Sequence, residues 1–560
     1  MHSPSFCYKE IKIMNLKGKP FYLDDSAVEW VNKTLEKLTE DEKIGQLFFP
    51  IGFSNEKEYL NHLIDLGIGG LFFRPGEAKE VQQAYEYMQR NSKVPLLTAA
   101  NLEDGGNGAS IEGTAFGNQM AVAATNRTSD AYTLGKIAAT EGKSVGVNFG
   151  FSPVVDLDLN FRNPITNVRT YGSDVERVIR NAKQYIQAFH DNGMMTSIKH
   201  FPGDGVDERD QHLLTSVNSL SVTNWRKTFG RVYKELIDCG SKAVMIGHIA
   251  FPAYAGDTMP ATLSPKLLQD LLRKELEFNG LTITDATPMV GFCAAMKRSE
   301  AVPFTIQAGC DMLLFNRVLE EDVQYMKEGL AKGILTKERL NEAVTRILAT
   351  KASLGLHKSI NHGTATFEDY KKEQYDLADK SITLVKDTQK MLPLTSNKNK
   401  RILLQVLGTF DSNTRVVEKV KAELEARDFE VTIYEPETNF FDLGTVESFS
   451  KEYDAVLYVA NVQNASNQTV ARIHWHTLFG LGNNMPWFVK EVPTALISFG
   501  NPYHLYDLPM VETVINAYCN YDHFIEMTVK KLTGESSFKG ISPVNPFCEN
   551  ILLEELKNEN

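Results

Sequence analysis

Apolar residues along the chain change their period several times, and the changes mark out its elements. Between residues 25 and 47 the spacing is helical. Trp30, Val31, Thr34, Leu35 and Leu38 share one face, and Ile44 and Leu47 continue it after the capping-box pattern Thr39-Glu40-Asp41-Glu42. Short β-rich runs then follow at Gly70–Phe73, Val94–Thr98, Val145–Phe149, Met195–Ile198, Ala243–Ile246, Leu281–Thr284 and Met312–Phe315. Amphipathic stretches such as Val178–His190 and Lys266–Glu277 lie between them. Strands apolar on both faces and separated by helices indicate a parallel sheet. Seven such runs within ~250 residues predict a TIM-like (β/α)8 barrel rather than a single open sheet. Several runs end directly in polar residues, namely Asn101 and Glu103, Lys199 and His200, His248, Asp285 and Asn316. In a barrel those C-terminal strand ends form the active-site face. Phe48-Phe49 and Phe72-Phe73 read as core.

The pattern stops near Gly355. The stretch 356–377 is polar and weakly periodic, which predicts a linker between a barrel over 1–355 and a second unit over 378–560. In that second unit Ile402–Val406, Val431–Tyr434, Ala455–Ala460, Thr494–Phe499 and Thr513–Ala517 read as strands, with Thr414–Ala426 as one of the helices between. The fold class predicted is α/β, a TIM-like barrel followed by a smaller α/β/α sandwich.

Composition narrows the partners more than the fold. The 560 residues are 42% hydrophobic and 23% charged, an ordinary globular balance. Asp and Glu number 71 against 59 Lys and Arg, a net charge of −12 that disfavours nucleic-acid binding. No apolar run reaches the ~18 residues of a membrane span, and the first residues lack a signal-peptide core, so a soluble cytoplasmic protein is expected. The six cysteines are scattered, without C-x-x-C, and are expected to be reduced and mostly buried. No metal-ligand spacing is present and no cofactor is expected.

Two segments carry candidate chemistry. In Lys199-His-Phe-Pro-Gly-Asp-Gly-Val-Asp-Glu-Arg-Asp-Gln-His212 a strand delivers Lys199 and His200, and a Gly-rich loop then carries Asp210 and His212. Asp-x-His spacing lets the carboxylate reach the imidazole, fix its tautomer and favour its protonated form, as a general acid requires. Leu281-Thr-Ile-Thr-Asp285 places a carboxylate at the end of an apolar strand. Three roles are open to it: nucleophile, metal ligand or helix cap.

Together these segments resemble glycoside hydrolase family 3, in its β-N-acetylglucosaminidase branch. The carriers are KHFPGDG followed by DQH, Asp285 with Met289 four residues on, FSPVVDLDLN (151–160), NPITNVRTYG (163–172) and VMIGHIAFP (244–252). In the second unit they are SITLVKD (381–387), LPL (392–394), SFGNPY (498–503) and VINAY (514–518). The resemblance implies Asp285 as the nucleophile that forms a glycosyl-enzyme. It implies His212 as general acid and then base, with Asp210 orienting it, and Lys199, His200 and Arg169 on the sugar hydroxyls. It also implies small β-linked N-acetylglucosamine saccharides as substrates. One position departs from the family. Its sugar-holding Asp falls, without a gap, on Leu102, and a shift of one residue offers Glu103 or Asn101; Glu103 is preferred.

Other readings stay open. One is a phosphorylase that uses inorganic phosphate, since a histidine that has given up its proton is neutral and does not repel an anion. Another is a β-glucosidase, and a third is a silent sugar-binding protein. Gly67-Ile-Gly69-Gly70 is a poor dinucleotide fingerprint because it precedes a strand. His474-Trp475-His476 reads as packing, with Arg472 and Trp475 as a lid over the sugar the lesser alternative.

Overall fold

The computed structural model describes residues 14–358, 365–408, 413–434, 444–475, 477–478, 481–482 and 484–548. The helical pattern before residue 47 forms two helices, Asp25–Lys37 and Glu40–Gln46, separated by Thr39. The Thr39 side chain accepts from the Glu42 amide while the Glu42 carboxylate accepts from the Thr39 amide, so the cap read from the sequence is made.

Besides a short parallel pair, Ser216–Val217 with Ile249–Ala250, nine strands of the first unit are described. They are β1 Phe48–Phe49, β2 Ile51–Gly52, β3 Gly70–Phe73, β4 Leu97–Ala100, β5 Phe149–Gly150, β6 Met195–Phe201, β7 Ala243–Ile246, β8 Leu281–Thr284 and β9 Leu313–Leu314. A parallel sheet runs in the order β8-β7-β6-β5-β4-β3-β2. At its far side β9 pairs in parallel with β1, and the Thr284 amide donates to the Met312 carbonyl at 3.1 Å. Backbone pairing therefore continues from β8 through β9 to β1, which leads straight into β2. Phe49, Phe72, Phe149, Phe151 and Phe315 meet ring to ring between the strands and fill the centre.

One expectation holds with an addition, and another needs correcting. Phe48-Phe49 is core, but it is also a strand, too short to show a two-residue period. The run Val145–Phe149 contributes only its last residue to a strand. Val145 closes the helix Thr128–Ser144, and Gly146 turns the chain at φ +95°.

Residues at the N-terminal ends of these strands serve stability. Asp311 is fully buried before β9. It accepts from Arg273 Nη2 at 2.8 Å, Arg339 Nη2 at 2.8 Å, Arg346 Nη1 at 3.3 Å and the Thr282 amide at 3.0 Å. Burial works against this carboxylate, but the three guanidinium groups hold its pKa far below the usual range.

A second, six-stranded sheet contains β10 Thr383–Asp387, β11 Arg401–Leu407, β12 Glu430–Tyr434, β13 Ala455–Ala460, β14 Thr494–Ser498 and β15 Thr513–Asn516. Its order is β10-β15-β14-β13-β11-β12, parallel except for the antiparallel edge strand β10. The five strands read from the sequence are all present. The edge strand was not read as one, because its half-buried Leu384 and Val385 give no clear alternation. One hydrophobic cluster runs from the first sheet into the second and includes Phe116, Leu377, Phe524 and Ile402. Of the described cysteines, Cys310 and Cys519 are buried, Cys548 is half-buried, and Cys239 and Cys293 are exposed; all five are free thiols. The burial expected for them therefore holds only in part.

Replacing Asp311 by Ala leaves three buried guanidinium groups without their common partner. Breaking such a cluster should cost about 3–5 kcal/mol in urea unfolding. A loss below about 1 kcal/mol would mean that the arginines find other acceptors.

Candidate active site

The C-terminal ends of the first sheet's strands bring the sequence-derived candidates together. Glu103, just past β4, is held by two cations. Arg169 donates Nε to Oε2 and Nη2 to Oε1, each at 2.9 Å, and Lys199 Nζ meets Oε1 at 2.6 Å. Burial would raise the Glu103 pKa, but the charges of Arg169 and Lys199 hold it far below the usual range. Burial in turn lowers that of Lys199, with Glu103 opposing. Leu102 is fully buried and Asn101 is exposed, so of the three residues considered for this position Glu103 is the one that joins the cations.

Asp285 follows β8 directly. Its amide donates to the Ile246 carbonyl at 2.8 Å, and Oδ1 accepts from the Ala286 amide at 2.7 Å. Oδ2 lies 3.8 Å from His200 Nε2. Burial works to raise its pKa, but His200, His248 and His212 outweigh it, and the net direction is down. The side chain is an anion with little solvent around it, which suits a nucleophile.

His212 Nδ1 and Asp210 Oδ1 are 2.6 Å apart, and the His212 amide donates to the same oxygen at 2.9 Å. The Asp210 carboxylate is fully buried and the imidazole is 21% exposed. Nδ1 is thus engaged, and Nε2 is the nitrogen left to exchange a proton. The loop that carries the pair presses against its surroundings at Gly205, where φ is +97° and a Cβ would lie 2.1 Å from the Leu157 carbonyl oxygen.

Each of two further histidines has its own partner. His200 Nδ1 lies 2.7 Å from Asp156 Oδ2. His248 is fully buried, with Nε2 3.0 Å from the Ala286 carbonyl and Nδ1 3.1 Å from Thr262 Oγ1. Burial lowers its pKa to about 4, so it is neutral at physiological pH. His248 was legible only as a polar residue at a strand end. Asp156 sits in the segment FSPVVDLDLN, which carried the resemblance without giving this residue a role. Asp204, within KHFPGDG, is pushed up to about 8 by burial and by the Asp156 charge.

The second unit also reaches this face. Tyr503 donates its hydroxyl to Asp158 Oδ2 at 2.6 Å, and Tyr521 donates to Asp104 Oδ2 at 2.8 Å. The Asn467 amide donates to Asp210 Oδ2 at 2.9 Å. Tyr503 ends the motif SFGNPY, which gave it no role, and no local signal marks Tyr521 or Asn467, whose partners lie hundreds of residues away. The structure shows where Arg472 lies. It pairs with Asp507 and lies over the Tyr506 ring, while Trp475 packs on the second unit's core. His476 lies outside the described residues. Among the described residues no cluster of three or more His, Cys, Asp or Glu could hold a metal ion.

Burial pushes the Asp104 carboxyl from its ordinary 3.8 to about 6, against the Tyr521 hydroxyl that lowers it. On raising the pH the unfolded chain ionises first, so this residue costs stability progressively between pH ~4 and ~6 and by a constant amount above that. Asp104→Asn removes the effect. The stability of the variant relative to the parent should rise by about 2–3 kcal/mol from pH 4 to pH 7 in urea titrations. A difference that does not change with pH would mean that Asp104 titrates normally.

Residues 39–350 match the glycosyl hydrolase family 3 N terminal domain. A beta-N-acetylglucosaminidase/beta-glucosidase of Cellulomonas fimi is 42% identical over 559 residues, covering 96% of this chain and 99% of that protein. A solved beta-glucoside phosphorylase, BglX, bound to 2FGlc is 42% identical at a TM-score of 0.90, covering 96% of this chain and 99% of that one. A glycoside hydrolase family 3 beta-N-acetylglucosaminidase from Paenibacillus sp. str. FPU-7 has a TM-score of 0.77 at 23% identity over 91% of this chain and 99% of that one, a likeness of fold.

Proposed function

Since the chain belongs to glycosyl hydrolase family 3, we propose that it is a retaining, exo-acting β-N-acetylglucosaminidase that releases terminal N-acetylglucosamine from small β-linked saccharides. The observation that carries the reading is the pairing of an anionic strand-end carboxylate, Asp285, with a His212 whose Nδ1 is tied to Asp210 and whose Nε2 is free. In the first step Asp285 attacks the anomeric carbon while the bond from that carbon to the aglycone oxygen breaks. The proton on His212 Nε2 passes to the leaving oxygen. In the second step neutral His212 takes a proton from water, the hydroxyl attacks the anomeric carbon and Asp285 leaves. Glu103, Lys199, Arg169 and His200 bind the sugar hydroxyls and orient the ring.

The strands of the first unit are read as a (β/α)8 barrel closed through β9 and β1, supported by the Leu313–Phe48 and Leu314–Phe49 pairing. The domains are then 1–355 and 378–560 with a linker over 356–377. The free and exposed thiols of Cys239 and Cys293 suit a reducing, cytoplasmic setting.

A second reading, with inorganic phosphate as acceptor, has two supports. One is the likeness to a β-glucoside phosphorylase over nearly the whole chain. The other is electrostatic. A carboxylate base would be anionic when the acceptor arrives, whereas His212 is neutral then and opposes no phosphate dianion. Phosphate would attack the same carbon and leave the sugar 1-phosphate.

Asp285→Asn should lower turnover by at least about three orders of magnitude while the protein stays folded, measured on aryl β-N-acetylglucosaminide and β-glucoside. Retention of more than a few per cent of activity would remove Asp285 from the nucleophile's place. The acceptor is decided by NMR of the products formed in millimolar phosphate. Free N-acetylglucosamine at a rate indifferent to phosphate supports hydrolysis, and the sugar 1-phosphate as main product supports phosphorolysis.

A further inference from the structure

The contact between Asn467 and Asp210 joins the second unit to the proposed acid–base pair. The Asp210 carboxylate is fully buried. Oδ1 is occupied by the His212 ring and amide, and among the described residues the Asn467 amide, 257 positions away, is the one donor to Oδ2. Without that donor a buried carboxylate oxygen would be left unsatisfied, and the group would be free to turn about its Cβ–Cγ bond and release Oδ1 from the imidazole.

The loop that carries Asn467 is built to stay in place. It leaves β13 at the point where the order of the second sheet reverses, between β13 and β11. At its start Gln463 Nε2 donates to the Phe499 carbonyl at 2.7 Å, and at its far end Asn501 Nδ2 donates to the Ala471 carbonyl at 2.6 Å. Between them Asn464 Nδ2 crosses to the first unit and donates to the Pro164 carbonyl at 2.9 Å. Asn467 itself is left-handed at φ +67°, a conformation that asparagine tolerates and most side chains do not. The side chain is exposed, so what the position supplies is an aimed backbone N–H.

We propose that the loop 461–475 of the second unit is a positioning element for general acid–base catalysis, acting through the Asn467 amide on Asp210 and through Asp210 on His212. This inference rests on the acid–base reading of His212 given above. It gives the second unit a part in the reaction without any of its side chains touching the reacting atoms.

The test is the dependence of kcat/KM on the leaving group, across glycosides from dinitrophenyl to simple alkyl. Departure of dinitrophenolate needs no proton, whereas an alkoxide does. Asn467→Pro removes the N–H and cannot hold the positive φ. It should lower kcat/KM about tenfold on alkyl glycosides and less than about twofold on dinitrophenyl glycosides. Asn464→Ala, which cuts the anchor to Pro164 and leaves residue 467 untouched, should show the same bias to a smaller degree. Asn467→Gly keeps both the amide and the left-handed backbone, and should restore the parent's pattern. His212→Ala is measured in the same series and should show the strongest bias. If His212→Ala is biased while Asn467→Pro and Asn464→Ala lose activity equally on all leaving groups, or lose none, the positioning role is wrong and the acid role stands. If His212→Ala itself shows no bias, the acid assignment falls and takes this inference with it.

Discussion

A carboxylate taken out of water has to be met by donors or by cations, and this constraint organises the C-terminal face of the first sheet. Glu103, Asp104, Asp156, Asp158, Asp204, Asp210 and Asp285 all lie there with little or no solvent. Each is satisfied differently, and the differences set the charge it carries. Glu103 is fixed as an anion by two cations and can only accept from hydroxyls. Asp285 keeps its charge through surrounding histidines and has an oxygen to spare. Asp104 and Asp158, with a neutral tyrosine hydroxyl apiece from the second unit, are pushed up to about 6. Carboxyl groups on one face are thus held in different charge states, sorted by what their neighbours donate.

The histidines are sorted by the same logic. His200 and His212 each face a carboxylate through Nδ1, while His248 faces a carbonyl and a hydroxyl and is held neutral by burial. The ends of the strands divide the labour as well. The fully buried Asp311 cluster lies at the N-terminal ends, whereas His212 and Asp285 at the C-terminal ends keep some exposure.

Much of this was legible in the sequence, and the limits have physical causes. Runs apolar on both faces mark buried strands, so β3, β6, β7, β8 and the parallel strands of the second sheet were visible. The pair β1 and β2 spans too few residues for any period, and Val145–Asn148 is apolar because it packs, not because it is extended. At the site, Asp-x-His placed Asp210 against His212 by local geometry alone. The choice of Glu103 over Leu102 followed from chemistry, since a leucine side chain cannot accept the hydrogen bond that a sugar-holding position needs. Tyr503 was visible only as the end of SFGNPY, and its partner, like those of Tyr521 and Asn467, could not be read, because a hydrogen bond across hundreds of residues leaves no trace in local spacing.

The hydrophobic cluster that passes from one sheet to the other has a consequence for how the protein is made. At Gly117 an added Cβ would lie 2.7 Å from Leu377 and 3.3 Å from Phe524, so the surface of the first unit there is shaped to a partner synthesised much later. On the ribosome the first unit is complete while the remaining chain still needs roughly 10–40 s of elongation at ~5–20 residues per second. Through that interval Phe116 and its neighbours face water, and the Asp104 and Asp158 carboxyls lack their tyrosine donors. The nascent first unit is therefore an incomplete fold with a sticky apolar face. Chaperone occupancy during synthesis should concentrate on that face and end when the helix Asp522–Leu532 emerges and covers it.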